Sequence, residues 1–109
     1  MLSLKYRIMS KRNMMDDIVA NKRMEWVHYA LNKSSYEESK YMVQSAINFE
    51  NTAMLHEILI ASPYNFSESL DETISEITNM GVIELLSRYI KGNGKGEFEH
   101  YIGGRCSIS

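Results

Sequence analysis

The residues with chemical potential in this chain are three histidines, one cysteine, three pairs of adjacent acids and a glycine-rich loop. His56-Glu57 opens like the His-Glu-x-x-His of a helical zinc site, but residue 60 is Ile and no second His follows. A structural or catalytic zinc needs at least three placed protein ligands, so no metal is expected. His28 and His56 fall at equivalent places in successive short helices and read as polar-edge histidines. Asp16-Asp17, Glu37-Glu38 and Asp71-Glu72 are expected near helix N-termini, where a carboxylate meets the positive end of the helix dipole without any acid–base role. Cys106 stands in a Gly/Ser tail with no activating cluster nearby in sequence, so no catalytic thiol is expected. Gly92-Asn93-Gly94-Lys95-Gly96 follows a helix rather than a strand and opens no helix, so the context of a phosphate loop is missing. No catalytic residue and no cofactor is expected, and the chain is read as a non-enzyme.

The elements that position these residues are read from hydrophobic period. At 109 residues, 44 % hydrophobic and 24 % charged, the chain has the composition of one soluble globular domain. Leu2, Leu4, Tyr6 and Ile8 alternate with polar residues, a strand pattern. From Asn13 the period becomes helical. Met14, Met15, Ile18 and Val19 mark a first helix, and Met24 to Leu31 a second, with Trp26 in the core. Ser35 and Glu38 have capping-box spacing before a third helix through Tyr41, Met42, Val43, Ala46 and Ile47. A fourth runs from Thr52 to Ile60 and stops at Ser62-Pro63. Ser69 and Glu72 repeat the capping-box spacing before a fifth helix through Ile77; Gly81 marks a bend, and Val82 to Ile90 forms a sixth. Glu97 to Ile102 alternates again as a short strand. The expected fold is mainly α: three stacked helical hairpins, as a repeat array or a six-helix array, flanked by short terminal strands. Residues 1–91 form the helical domain with its basic, strand-like start, and residues 92–109 a Gly-rich tail.

Three turns recur at roughly the spacing of a solenoid repeat: Ala20-Asn21-Lys22-Arg23, Ala46-Ile47-Asn48-Phe49-Glu50-Asn51 and Ile77-Thr78-Asn79-Met80-Gly81. Each is followed by a short apolar helix. In these segments the chain resembles a degenerate ankyrin repeat, over about residues 13–91. It departs from that family in having no Thr-Pro-Leu-His opening and no Gly-Ala-Asp stretch for protruding hairpins. The resemblance implies a protein-binding scaffold without catalysis.

Charge divides the chain. Residues 1–33 are basic and residues 34–90 acidic, for a net charge of −2. This layout orients an encounter with a charged partner. The leading expectation is a protein–protein interaction module acting by stoichiometric binding, as an inhibitor or modulator of a host protein. Its contacts are expected at helix-turn tips, linkers and an acidic stretch: Lys22, Arg23, Tyr36, Phe49, Glu50, Tyr64, Phe66, Asp71 and Glu72. The alternative is a nucleic-acid-associated regulator with Lys5, Tyr6, Arg7, Lys11 and Arg12 on phosphates and bases. Self-association through the Leu2–Ile8 strand is a third expectation. The single thiol suits a reducing cytoplasm. No run reaches the ~18 apolar residues of a membrane span, and Met1 to Met9 lacks the pattern of a signal peptide. The short length and the Met, Asn, Ile and Lys usage suit a phage or mobile-element protein working in a host cytoplasm.

Overall fold

A computed structural model describes residues 9–94, which divide into two compact units, one ending at Ser62 and the other beginning at Pro63. The described residues are mainly α, with six helices and no strand. Both segments expected as terminal strands lie outside them, as do Lys5, Tyr6, Arg7, His100 and Cys106.

The first unit holds four helices: α1 (Lys11–Ala20), α2 (Val27–Leu31), α3 (Tyr36–Asn48) and α4 (Thr52–Ala61). Helices α1, α3 and α4 are each built on two apolar doublets one turn apart, and α2 on a single apolar residue and a doublet. Met14-Met15 and Ile18-Val19 are buried in α1, Val27 and Ala30-Leu31 in α2, Met42-Val43 and Ala46-Ile47 in α3, and Met54-Leu55 and Ile58-Leu59 in α4. Doublets four residues apart keep one face apolar at the helical period. Helices α1 and α2 pack on each other, as do α3 and α4; α1 lies on α3, and α2 on α4. Two helix pairs thus share one core.

Helix starts follow their caps. Ser10 Oγ accepts from the Asn13 amide at 3.1 Å, so α1 begins at Lys11, two residues before the apolar period announces it. The capping box of α3 forms as expected: Ser35 Oγ accepts from Glu38 N at 3.1 Å, and Glu38 Oε1 accepts from Ser35 N at 2.9 Å. Asn51 caps α4 through Met54 N at 3.0 Å. The segment before α2 differs from expectation. Met24–Trp26 is a 3-10 turn, and Trp26 is only part-buried, perpendicular to the Tyr29 ring with the ring centres 5.1 Å apart.

The second unit holds α5 (Ser67–Thr73), a 3-10 turn (Ile74–Glu76) and α6 (Met80–Lys91). Its buried side chains include Phe66, Leu70, Val82, Leu85, Leu86 and Tyr89. The Tyr89 hydroxyl accepts from Phe66 N at 3.1 Å and donates to the Tyr64 carbonyl at 3.5 Å, so its one polar atom is satisfied within the core.

Three expectations fail here. Ser69 caps nothing: α5 already starts at Ser67, whose amide is held by Asn65 Oδ1 at 2.8 Å. The fifth helix does not run through Ile77 as α-helix, because Thr73 gives way to the 3-10 turn. Gly81 is not a bend. Asn79 Oδ1 accepts from Val82 N at 3.0 Å, placing Gly81 inside the first turn of α6.

Candidate functional site

In the first unit, the two turns that join the paired helices have one geometry. Arg23 N reaches back to Ile18 O at 2.9 Å and Lys22 N to Val19 O at 3.2 Å; Asn51 N reaches Ala46 O at 3.1 Å and Glu50 N reaches Ile47 O at 2.9 Å. Both are Schellman endings, in which the last helical carbonyls are satisfied by amides beyond the helix. The residue at the reversal adopts positive φ, +54° at Lys22 and +53° at Glu50. Glycine is the usual occupant of that position. Here two charged residues hold it.

Between α1 and α3 these two turns border a groove of about 460 Å³. Asp16, Asp17, Ala20 and Asn21 line it from α1 and its end, and Tyr41, Gln44, Ser45, Asn48 and Phe49 from α3 and its end. Its wall is a polar seam. Asp16 Oδ2 accepts from the Tyr41 hydroxyl at 2.7 Å, and Asp16 Oδ1 from the Ser45 hydroxyl at 2.9 Å. The Arg12 guanidinium lies over the Tyr41 ring, 4.7 Å from its centre. The hydrogen bond to Asp16 lifts the Tyr41 hydroxyl above its ordinary pKa of 10.0; burial and the Asp16 charge act the same way, and Arg12 opposes them. Next along α1, Asp17 Oδ1 accepts from Asn21 Nδ2 at 2.9 Å, and Asp17 Oδ2 pairs with Arg23 Nε at 3.3 Å. Asp16 and Asp17 therefore sit well inside α1 rather than at its first turn, and their charge is spent on interhelical and turn contacts. Glu37 and Glu38 do occupy the first turn of α3. Asp71 and Glu72 fall in the C-terminal half of α5.

Phe49 closes α3 at the groove's edge and is 54 % exposed. Lys22 and Glu50 are exposed, and neither side chain has a hydrogen bond or ion pair among the described residues. Arg23 is part-buried against Asp17. Of the expected contact residues Phe49 lines the groove, while Lys22 and Arg23 follow its lining residue Asn21 in one turn and Glu50 follows Phe49 in the other. Tyr36 does not join them. It opens α3 while Phe49 ends it, and thirteen helical steps place them about 20 Å apart.

The remaining expected contacts belong to the second unit. Tyr64 is part-buried beside Phe66, with ring centres 6.3 Å apart. Phe66 corrects the expectation of an interface anchor: at 1 % exposure it is core. Its position beside the α5 start and its amide bond to Tyr89 turn it inward. Asp71 and Glu72 are exposed on α5.

Lys11 and Arg12, expected in a basic arm, belong to the first turn of α1. The Lys11 ammonium donates to Asn32 O and to Ser34 Oγ, each at 3.2 Å, while Arg12 covers Tyr41. On α4, His56 is part-buried, and desolvation holds its pKa below the ordinary 6.5 against the opposing charge of Glu57. His28 Nε2 lies 3.6 Å from Glu57 Oε2, so its neighbour on α4 is an acid. Among the described residues no group of three or more His, Cys, Asp or Glu is placed to hold a metal ion, and no described helix is long and apolar enough to cross a membrane.

The Asp16–Tyr41–Ser45 seam is the part that sequence reasoning missed. Tyr41 and Ser45 share a face of α3 at i, i+4 spacing, which is visible in sequence. Their partner on another helix is not. Compared with protein-family models, curated proteins and solved structures, the chain finds no match.

Proposed function

We propose that this chain is a non-catalytic protein-interaction module that acts by stoichiometric binding, with the face made by the α1–α2 and α3–α4 turns as its contact surface. The observation that carries this reading is a groove lined by Asn21 and Phe49, the residues that end α1 and α3 at the two turns, with the phenylalanine half-exposed at its edge. A few anchors, aromatic side chains and Arg prominent among them, carry most of the binding energy of protein interfaces. The backbone adds support. Lys22 and Glu50 keep charged side chains where glycine is conformationally easier, and strain of this kind concentrates where side chains are used.

The carboxylates nearest the groove are occupied in holding helices together, which fits binding better than acid–base work. The packing of α1 on α3 and α2 on α4 is also the arrangement a short ankyrin-like array needs between neighbouring pairs. In this reading the chain modulates a larger protein by covering part of its surface.

The test is affinity capture from the native or host cytosol, with and without nuclease, at about 0.5 M salt, where exposed charge attraction is screened. The parent chain retains one protein in near-stoichiometric amount, and Phe49→Ala weakens its retention at least about tenfold, the effect of removing an interface anchor. Retention indifferent to Phe49→Ala removes this face from the reading. Recovery that disappears with nuclease replaces the reading with nucleic-acid binding.

A further inference from the structure

We propose that the partner occupying this face in the free protein is a second copy of the same chain, related by a two-fold axis. The inference rests on the reading of the turn face as a protein-contact surface and names its occupant.

A two-fold contact requires a surface complementary to itself. This face meets the requirement in charge. Lys22 follows Asn21, which lines the groove from the end of α1, and Glu50 follows Phe49, which lines it from the end of α3. They carry opposite charges, and neither side chain has a partner among the described residues. A two-fold axis lying in the contact plane, across the line from Lys22 to Glu50, sets each Lys22 against Glu50 of the second copy. The rotation makes that pair twice.

The same rotation accounts for Phe49. It adjoins Glu50, so it is carried over the opposite end of the second copy's groove, where exposed Ala20 and Asn21 form the border. The groove that Ala20 and Phe49 both line then faces its own copy, with an exposed ring from each chain at its border. The apolar contact excludes water at the centre, and the two ion pairs fix the register at the rim. A foreign partner needs its own acid, base and apolar pocket in matching order; a second copy has all three by symmetry.

The test is sedimentation equilibrium of the full chain over a wide concentration range, with the parent, Lys22→Glu, Glu50→Lys and the double reversal. The parent forms a dimer. Each single reversal sets two like-charge pairs across the contact and weakens the dimer at least about tenfold. The double reversal restores the parent's affinity to within about threefold, because the pairs re-form with their order exchanged. Both positions are exposed turns, and helical circular dichroism checks that every variant is folded. A parent that stays monomeric throughout overturns the proposal. So does a dimer indifferent to both single reversals, or one that the double reversal fails to restore. A monomer that still captures a protein partner through Phe49 leaves the contact face standing and removes only the second copy from it.

Discussion

Lys22, Glu50 and Asn93 occupy the same backbone position in three helix endings, with φ of +54°, +53° and +55°. Gly94 N reaches Tyr89 O at 3.0 Å and Asn93 N reaches Ile90 O at 2.9 Å, repeating the hydrogen bonds of the other two turns. The three residues do not bear that position equally. Asparagine tolerates the left-handed region because its short amide compensates locally, whereas lysine and glutamate have no such compensation. Glycine at Lys22 or Glu50 relieves the contact between Cβ and backbone, and part of that gain is returned as extra freedom of the unfolded chain. Lys22→Gly and Glu50→Gly are each expected to raise stability by about 0.5–1 kcal/mol, and Asn93→Gly by less. Urea unfolding of the three variants measures this. Loss of stability in Glu50→Gly shows instead that the glutamate side chain holds its own turn. The same two substitutions remove the charges proposed to meet across the contact, so a gain in stability with a loss of association separates the two roles of each residue.

At the scale of the helix, Asp16 joins α1 to α3. Its carboxylate takes two hydroxyl donors from one helix face, Tyr41 and Ser45, and removing it leaves both hydroxyls to find water in a part-buried seam. Hydrogen bonds to a charged group contribute more than neutral ones, and partial solvent access reduces the loss. Asp16→Ala is expected to cost about 1–2 kcal/mol, and Asp16→Asn less, since the amide oxygen still accepts one hydroxyl. Asp16→Asn also brings the Tyr41 pKa down toward its ordinary value, because its main cause has weakened. NMR titration of the tyrosine rings reads that change, and a Tyr41 pKa unmoved by Asp16→Asn shows that the seam is not formed as described. This helix scale also separates what sequence discloses from what it does not. The doublets Met14-Met15/Ile18-Val19 and Met54-Leu55/Ile58-Leu59 announce buried faces because period is a local property. Ser35 and Glu38 announce their cap for the same reason. Ser69 and Glu72 have identical spacing yet make no cap, because Asn65 and Phe66 begin α5 earlier and leave Ser69 inside it. Phe66 reads as a loop aromatic until Tyr89, 23 residues on, supplies the hydroxyl that receives its amide. The groove is half legible: its two turns are visible as sequence punctuation, but their meeting depends on α1 lying against α3.

For the molecule as a whole, acid is the condition under which His56 becomes informative. His56 is part-buried on α4, and desolvation disfavours its charged form; Glu57 favours that form but does not prevail. Its folded pKa therefore lies below the ordinary value of 6.5 that the unfolded chain adopts. The sign follows from proton counting. As pH falls below the ordinary value, the unfolded chain takes up a proton at this site before the folded chain does, so acid favours unfolding. The contribution is intact above the unfolded value and is lost as pH falls through the window down to the folded one. Carboxylates titrating at lower pH add their own slope, so the informative quantity is a difference between two proteins. His56→Gln keeps a polar side chain at the site and cannot take up a proton. Stability measured by urea unfolding from about pH 7.5 to about pH 5 is expected to fall more steeply in the parent than in His56→Gln, the interval in which an ordinary histidine titrates. Parallel curves show that His56 titrates alike in the folded and unfolded chains. A shallower fall in the parent shows that Glu57 outweighs burial and that α4 holds the imidazolium by charge.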